Sequence, residues 1–350
     1  MATTDPVTTK LPDIAGVLED VSHDEAPAGT SPWRLARRRL RRNRIALLFG
    51  AIFVLVIGTS MVAPIWANQV ADTGPNNTHL TDTIRIDGKD VNVVEFDGVP
   101  IGPQWFKADG KYFLGADTQG RDVMVRLLYG ARNSLFIGIT ASIITVFLAV
   151  TLGLLAGYYR RWVDAIISRG LDVLWAFPVL LLGIALGVSL ALGGITIGPL
   201  ELRGNSLWIP TLIIGFVSIV YLARPIRGQV LSLREKEFVE AARASGASDV
   251  RIMFGELLPN LASTILVFVP ILMANAILLE AALSFLGAGV RPPNPSWGTM
   301  IADGLKFLIT SPHLTIVPGG MLALTVLSLN VFGDGVRDAL DPRATIKLEQ

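Results

Sequence analysis

At 350 residues, with 51% hydrophobic and 17% charged side chains and a mean hydropathy of +0.53, the chain reads as an integral membrane protein with polar segments; soluble domains carry about 25% charged residues. Its net charge of +1 gives no general argument for nucleic acid, and the absence of cysteine excludes a disulfide framework or a thiolate metal site. His23, His79 and His313 lie too far apart in sequence for metal-ligand spacing.

Residues 1–30 are polar, rich in Pro, Thr, Asp and Glu, so disorder is expected there, with a short helix near 11–18. A basic block follows: Arg34, Arg37, Arg38, Arg39, Arg41, Arg42 and Arg44. It abuts an apolar run over 45–67. That run has the ~20-residue length of a membrane span, and positive charge beside a first span marks the cytoplasmic side. The abutting run argues against a nucleic-acid arm. It is also too long, and begins too late, for a cleaved signal peptide. Residues 68–132 form a first external loop. Alternation over 84–102, with Asp87-Gly88 and Asp97-Gly98, predicts a hairpin or small meander. Asn76-Asn77-Thr78 has the form of a glycosylation sequon, and we take it as coincidence. Val123, Arg126, Leu127 and Gly130 predict an interfacial helix before the next span.

The second span covers 134–157, and a cytoplasmic turn covers 158–169 with Arg160 and Arg161. The third covers 171–192, kinked at Pro178. Gly153/Gly157 and Gly183/Gly187 mark close helix packing. An external loop at 193–206 leads to a fourth span at 207–223, with Arg224 and Arg227 at its return. Then comes a polar segment, 237–260. Phe238, Ala241, Ala242 and Ser245 have helical spacing, and Gly246 suits a left-handed helix end. Ser248 caps a second helix whose apolar face is Val250, Met253, Phe254 and Leu257, and Pro259 stops it. Spacing alone leaves two readings: a helical loop lying on the membrane surface, or a grip for a partner. The fifth span covers 261–286 and the sixth 315–332, with 287–314 outside and 333–350 inside. This arrangement places 20 of the 30 Lys and Arg inside, as the positive-inside rule requires. The expected organisation is a tail at 1–44, a first span at 45–67, an external loop at 68–132, a five-helix core at 133–336 and a tail at 337–350. Both termini are cytoplasmic.

Glu240-Ala241-Ala242, Gly246 and Leu257-Leu258-Pro259-Asn260 resemble the "EAA" loop of ABC importer permeases. A second run resembles the C-type permeases of dipeptide/oligopeptide (peptide/nickel) importers. It comprises Leu114, Gly115, Asp117, Gly120, Arg121, Asp122, Arg126, Gly130, Ala131, Arg132, Ser134 and Leu135. Tyr112-Phe113 stands where that family often has His-Pro, and the preceding loop is longer than usual for it. Ile277 to Ala281, Leu283 to Gly287, Pro295 to Gly298, Pro318-Gly319, Asn330, Gly333-Asp334, Arg337-Asp338 and Leu340 to Arg343 continue the likeness.

The resemblance implies an all-α integral membrane protein of six transmembrane helices with the type I ABC importer permease fold. A small β-containing external loop follows the first span. It implies that the chain lies in the inner or plasma membrane of a prokaryote, with a B-type permease partner, two ATPase subunits, and an extracellular or periplasmic binding protein. It assigns ATPase coupling to Glu237, Glu240, Ala241, Ala242, Ala244, Ser245, Gly246, Ala247, Phe254 and Pro259. Glu280, Asn275, Ser284 and Asn330 are candidates for the translocation path or for helix packing. Glu280 is costly in a span, and packing is the favoured reading for it. Asp117, Gly120, Arg121, Asp122, Arg126 and Arg132 form the external motif; of these, Arg121, Asp122, Arg126 and Arg132 are read as an ion-pair set on the outer face in preference to a contact with the binding protein. No phosphate-binding G-x-x-x-x-G-K-[ST] loop occurs. The chain is therefore expected not to be an enzyme and to bind no cofactor, with ATP and Mg held by the partners. A stand-alone secondary transporter or channel would need inverted repeats or serial intramembrane charges, and a non-transporting scaffold would have no use for the 237–260 segment.

Overall fold

The computed structural model describes residues 32–341, apart from 87–88, 106, 108–109 and 198–199. The readings for the first 30 residues, the Asp87-Gly88 turn and the Pro342-Arg343 end of the last motif lie outside the described residues. Among the described residues, five helices are long and apolar enough to cross a bilayer, and there are six spans if one sharply bent pair is counted as one.

Helix α1 (Pro32–Arg42) ends at Asn43, whose side chain accepts a 3.0 Å bond from Ala46 N and caps α2 (Arg44–Trp66). A π turn, Ala67–Ala71, carries α2 past its predicted end. Strands β1 (Thr83–Ile86) and β2 (Lys89–Asn92) pair antiparallel, with Ile84 opposite Val91. The chain turns again at Asp97-Gly98, with Gly98 at φ +82 and Glu95 N donating to Val99 O. The expected meander therefore forms. Its inward side chains pack with Val93, Ile101, Tyr112 and Ala116 in a small core.

Helix α3 (Val123–Tyr159) has 37 residues, about 55 Å long. The predicted interfacial helix and second span are one helix, so the boundary drawn at 132/133 falls inside it. Gly130 does not stop it; the glycine is buried against the Ser296 backbone. Arg160 and Arg161, both left-handed, turn the chain into α4 (Arg161–Ala176). The expected 158–169 turn is thus mostly helical. The third span is broken rather than kinked, with α4 and α5 (Val179–Gly193) meeting at 88°. Phe177 is extended there, as a residue before proline tends to be. A short hairpin, β3 (Ile195–Ile197) and β4 (Leu200–Leu202), follows where only a loop was expected.

Helices α6 (Trp208–Val217) and α7 (Ile219–Leu233) together make one span, longer than predicted. Arg224 and Arg227 lie inside this span rather than at its end, and hold α4. Arg227 Nε and Nη2 bind the two Asp164 oxygens at 2.5 and 2.7 Å, and Arg224 pairs with Asp172 at 2.8 Å. The polar segment forms α8 (Glu237–Ala244) and α9 (Asp249–Arg251). A π turn (Ile252–Leu257) then leads straight into α10 (Leu258–Phe285). After α11 (Trp297–Leu305), α12 (His313–Leu340) completes the bundle and extends beyond the predicted span at both ends.

Helix α3 is the axis on which α2, α6, α7 and α10 pack. A Cβ on Gly153 would lie 2.7 Å from Ile226, and one on Gly157 2.7 Å from Val230, so these glycines let α7 approach. Gly187 does the same for Ala288, and Gly183 for Leu283. A leucine at Gly157 is therefore expected to cost about 1–3 kcal/mol by overpacking, read as a lower melting temperature in detergent. Leucine at Gly170, which has open space, is the control.

Candidate functional site

The polar segment has a crest and a base. Helix α8 ends in a paired-carbonyl cap: Ala247 N donates to Ala242 O and Gly246 N to Arg243 O. This cap needs a left-handed residue, and Gly246 supplies it at φ +78. Ser248 Oγ then accepts from Arg251 N and starts the next helix. Glu237, Phe238, Glu240, Ala241, Ala244, Ser245 and Gly246 are exposed, whereas Ala242 and Ala247 are half-buried. Val239 alone in α8 is fully buried.

Two expectations about this segment change. The proposed apolar face divides: Met253 and Leu257 are buried with Ile252, while Val250 and Phe254 are 59% and 60% exposed. Pro259 does not end the helix. It occupies the first turn of α10, directly after the π turn, where no regular i→i−4 bond is demanded of its missing N–H. Helix α9 and the fifth span are consequently continuous.

The base is locked to α3 and α7. Val239, Ile252, Met253, Leu257 and Leu261 pack with Leu154, Tyr158, Ile226 and Val230. Tyr158 Oη donates to Asp249 Oδ1 at 2.7 Å, and Arg243 lies over the Tyr158 ring at 5.5 Å. Arg234 binds the Tyr158 carbonyl, and Arg160 pairs with Glu235. Sequence reasoning missed Tyr158, Asp249, Arg234 and Arg243. Tyr158 and Asp249 are 91 positions apart, and no periodicity links them. A groove of about 630 Å³, lined by apolar side chains of α3 and α10, runs from Ile139 to Phe254 beside this base.

Of the four mid-span candidates, the structure brings two together. Glu280 is wholly buried, and its Oε1 accepts from Ser284 Oγ at 2.7 Å. Ser284 Oγ in turn accepts from Val290 N at 2.9 Å, and Ser134 Oγ accepts from Trp297 N at 3.3 Å. Ser134 and Ser296 flank the carboxyl. Gly298 sits against Ala281, where a Cβ would lie 2.4 Å from the carbonyl oxygen. The carboxyl therefore lies where α10, α3 and the start of α11 converge. Asn275 and Asn330 are exposed on α10 and α12 and do not join it.

The external motif is a closed turn rather than one ion-pair set. Asp117 Oδ2 binds Arg121 Nε at 2.6 Å and lies 3.5 Å from Arg126 Nε, while Oδ1 accepts from Gln119 N and Arg121 N. Gly120 has φ +72, and a Cβ there would meet the His79 backbone at 2.5 Å. Asp122 makes no ion pair among the described residues. Its oxygens accept from Val125 N at 3.0 Å and Tyr112 N at 2.7 Å, capping α3. Burial raises the Asp122 carboxyl above its ordinary value despite those amide bonds, and burial with nearby carboxylates pushes the Tyr112 phenol up to about 12. Arg132 stands apart and exposed, beside Ser60 and Pro64 of α2. Asp122→Ala removes the cap and strands a buried amide. An expected loss of about 2 kcal/mol or more would appear as earlier proteolysis of the outer loop.

Residues 149–346 match the family described as the binding-protein-dependent transport system inner membrane component. Residues 31–83 match the N-terminal TM domain of oligopeptide transport permease C. The chain is 37% identical over 314 residues to the dipeptide transport system permease protein DppC of Alkalihalophilus pseudofirmus, covering 89% of this chain and 90% of that one. It is 35% identical to the glutathione transport system permease protein GsiD of Pectobacterium atrosepticum, covering 89% and 92%. It is 36% identical to the oligopeptide transport system permease protein OppC of Bacillus subtilis, covering 89% and 90%. A chain of the inward-facing MetNI methionine ABC transporter shares the fold, at a TM-score of 0.51 and 16% identity, over 63% of this chain and 98% of that one. The chain thus belongs to the family of inner-membrane components of binding-protein-dependent transport systems, as a multi-pass permease with the ABC importer fold.

Proposed function

We propose that this chain is the C-type permease of an ATP-driven importer for di- and oligopeptides or related solutes. It forms the translocation path with a B-type permease. Two ATPase subunits, which bind ATP and Mg, dock on the crest of residues 237–260, and a solute-binding protein delivers the cargo on the opposite side. Both termini then lie on the ATPase side. The observation that carries this reading is the crest itself: small, exposed side chains on a base fixed to three spanning helices. A surface helix held only by lipid has no use for such a base.

Closure of the ATPases would press on Ala241, Ala244 and Gly246. The π turn would pass that motion directly to α10, and the Tyr158 clamp would pass it to α3. The permease pair would move between inward- and outward-facing states, a population shift driven by differential ATPase contacts. The apolar groove between α3 and α10 offers a packing face for the second permease. Asn275 and Asn330, polar and exposed within spans, face the path; Glu280 and Ser284 hold the outer helices in place. Peptide-like cargo is inferred from the relatives' dipeptide, oligopeptide and glutathione transport.

Tagging the chain, extracting it gently from its membrane and identifying its companions by mass spectrometry tests the reading. A second multi-span permease and a P-loop ATPase are expected. Recovery of the chain alone, still moving solute in liposomes without ATP, would replace the proposal with a secondary transporter.

A further inference from the structure

The arginines before the first span have a geometry that topology alone does not require. In α1, Arg34, Arg37, Arg38, Arg41 and Arg42 are all exposed, while Ala36 is buried and Leu35, Arg39 and Leu40 are partly covered. At 100° per residue the five exposed arginines share one face of the helix. Residues 32–44 contain no acidic side chain. Among the described residues, none of the five takes part in an ion pair.

This face is held in a fixed direction. Arg39 Nη1 donates to Asp341 O at 2.8 Å at the end of α12. Just below, Gly335 of α12 is so close to α2 that a Cβ on it would lie 2.2 Å from Ala46 Cβ. Helix α2, of 23 residues, is about 35 Å long, close to the thickness of a bilayer's hydrocarbon core. Ile45, Leu47 and Leu48, at its start, are exposed apolar side chains. Arg44 therefore marks the edge of the hydrocarbon, and the last turns of α1, with Arg38, Arg41 and Arg42, fall in the headgroup layer.

We propose that the arginine face of α1 binds the phosphate groups of anionic phospholipids, clamping the joined ends of the first and sixth spans to the membrane surface. Charge complementarity selects this occupant. A run of cations beginning at the hydrocarbon edge meets the headgroup layer first, and each arginine near an anionic surface adds attraction on the order of fivefold in affinity. The guanidinium fork also matches phosphate geometry.

The test uses the full chain in detergent with equimolar phosphatidylglycerol and phosphatidylcholine of matched acyl chains, and counts retained lipids by native mass spectrometry. The wild type is expected to retain phosphatidylglycerol preferentially. Changing Arg34, Arg37, Arg38, Arg41 and Arg42 together to Gln, which preserves helix propensity, is expected to lower that preference about tenfold or more. Circular dichroism and gel filtration verify that this variant folds. Arg85→Gln with Lys89→Gln, on the hairpin of the outer loop, is expected to leave the preference in place. Equal retention of the two lipids by the wild type, or an undiminished preference in the five-site variant, overturns the proposal. Loss of a co-purifying subunit from that variant with lipid preference unchanged would assign the face to an acidic protein surface instead, and also overturns it.

Discussion

Tryptophan at Ala241 is expected to abolish solute uptake while the permease still inserts and melts as the wild type does. Ala241 is exposed in the middle of α8, so the larger side chain meets nothing within this chain. Its effect must therefore arise where a partner packs. A bulky ring forced into a close-fitting interface costs at least about 2 kcal/mol, which is more than about tenfold in assembly. Gly246 is the less informative position, because its φ of +78 strains any side chain by about 1–2 kcal/mol before a partner arrives. Uptake of a labelled peptide by cells, with the amount of ATPase recovered on the tagged permease, checks the result. Wild-type uptake by Ala241→Trp would refute ATPase docking on the crest.

Glu280 gives the second large effect. Glu280→Ala is expected to destabilise the permease by about 3 kcal/mol. It opens a cavity at the junction of α10, α3 and α11 and removes the acceptor for Ser284. Glu280→Gln keeps the volume and an acceptor oxygen, so its melting temperature and uptake should stay near wild type. That pair of variants separates packing from a role in the path. If Gln altered which peptides are carried while stability held, Glu280 would belong to the path.

The sequence made the membrane class, the order of spans and the two helices of the 237–260 segment legible, because length, apolar runs and capping residues are local signals. Gly246 and Ser248 mark the joint that the structure contains. Where local reasoning failed, a tertiary contact overrode the punctuation. Pro259 reads as a stop until a π turn precedes it. Arg224 and Arg227 read as the end of a span until they are seen to bind Asp172 and Asp164 of α4. Arg132 joins its neighbours in the motif but not in space, because α3 is a continuous helix that carries it away from Asp117. The Tyr158 clamp had no signal at all, since each of its partners lies some 75–90 residues away in the chain.

The chain contains no cysteine, so a single Ala244→Cys variant places one thiol on the crest of the 237–260 segment. The most direct measurement is its reaction with a maleimide, and its cross-linking, in the transporter extracted intact. The thiol is expected to be shielded in the assembly, to cross-link to a P-loop ATPase, and to become reactive when that subunit is stripped away. A thiol that reacts equally in both states and cross-links to nothing would contradict it.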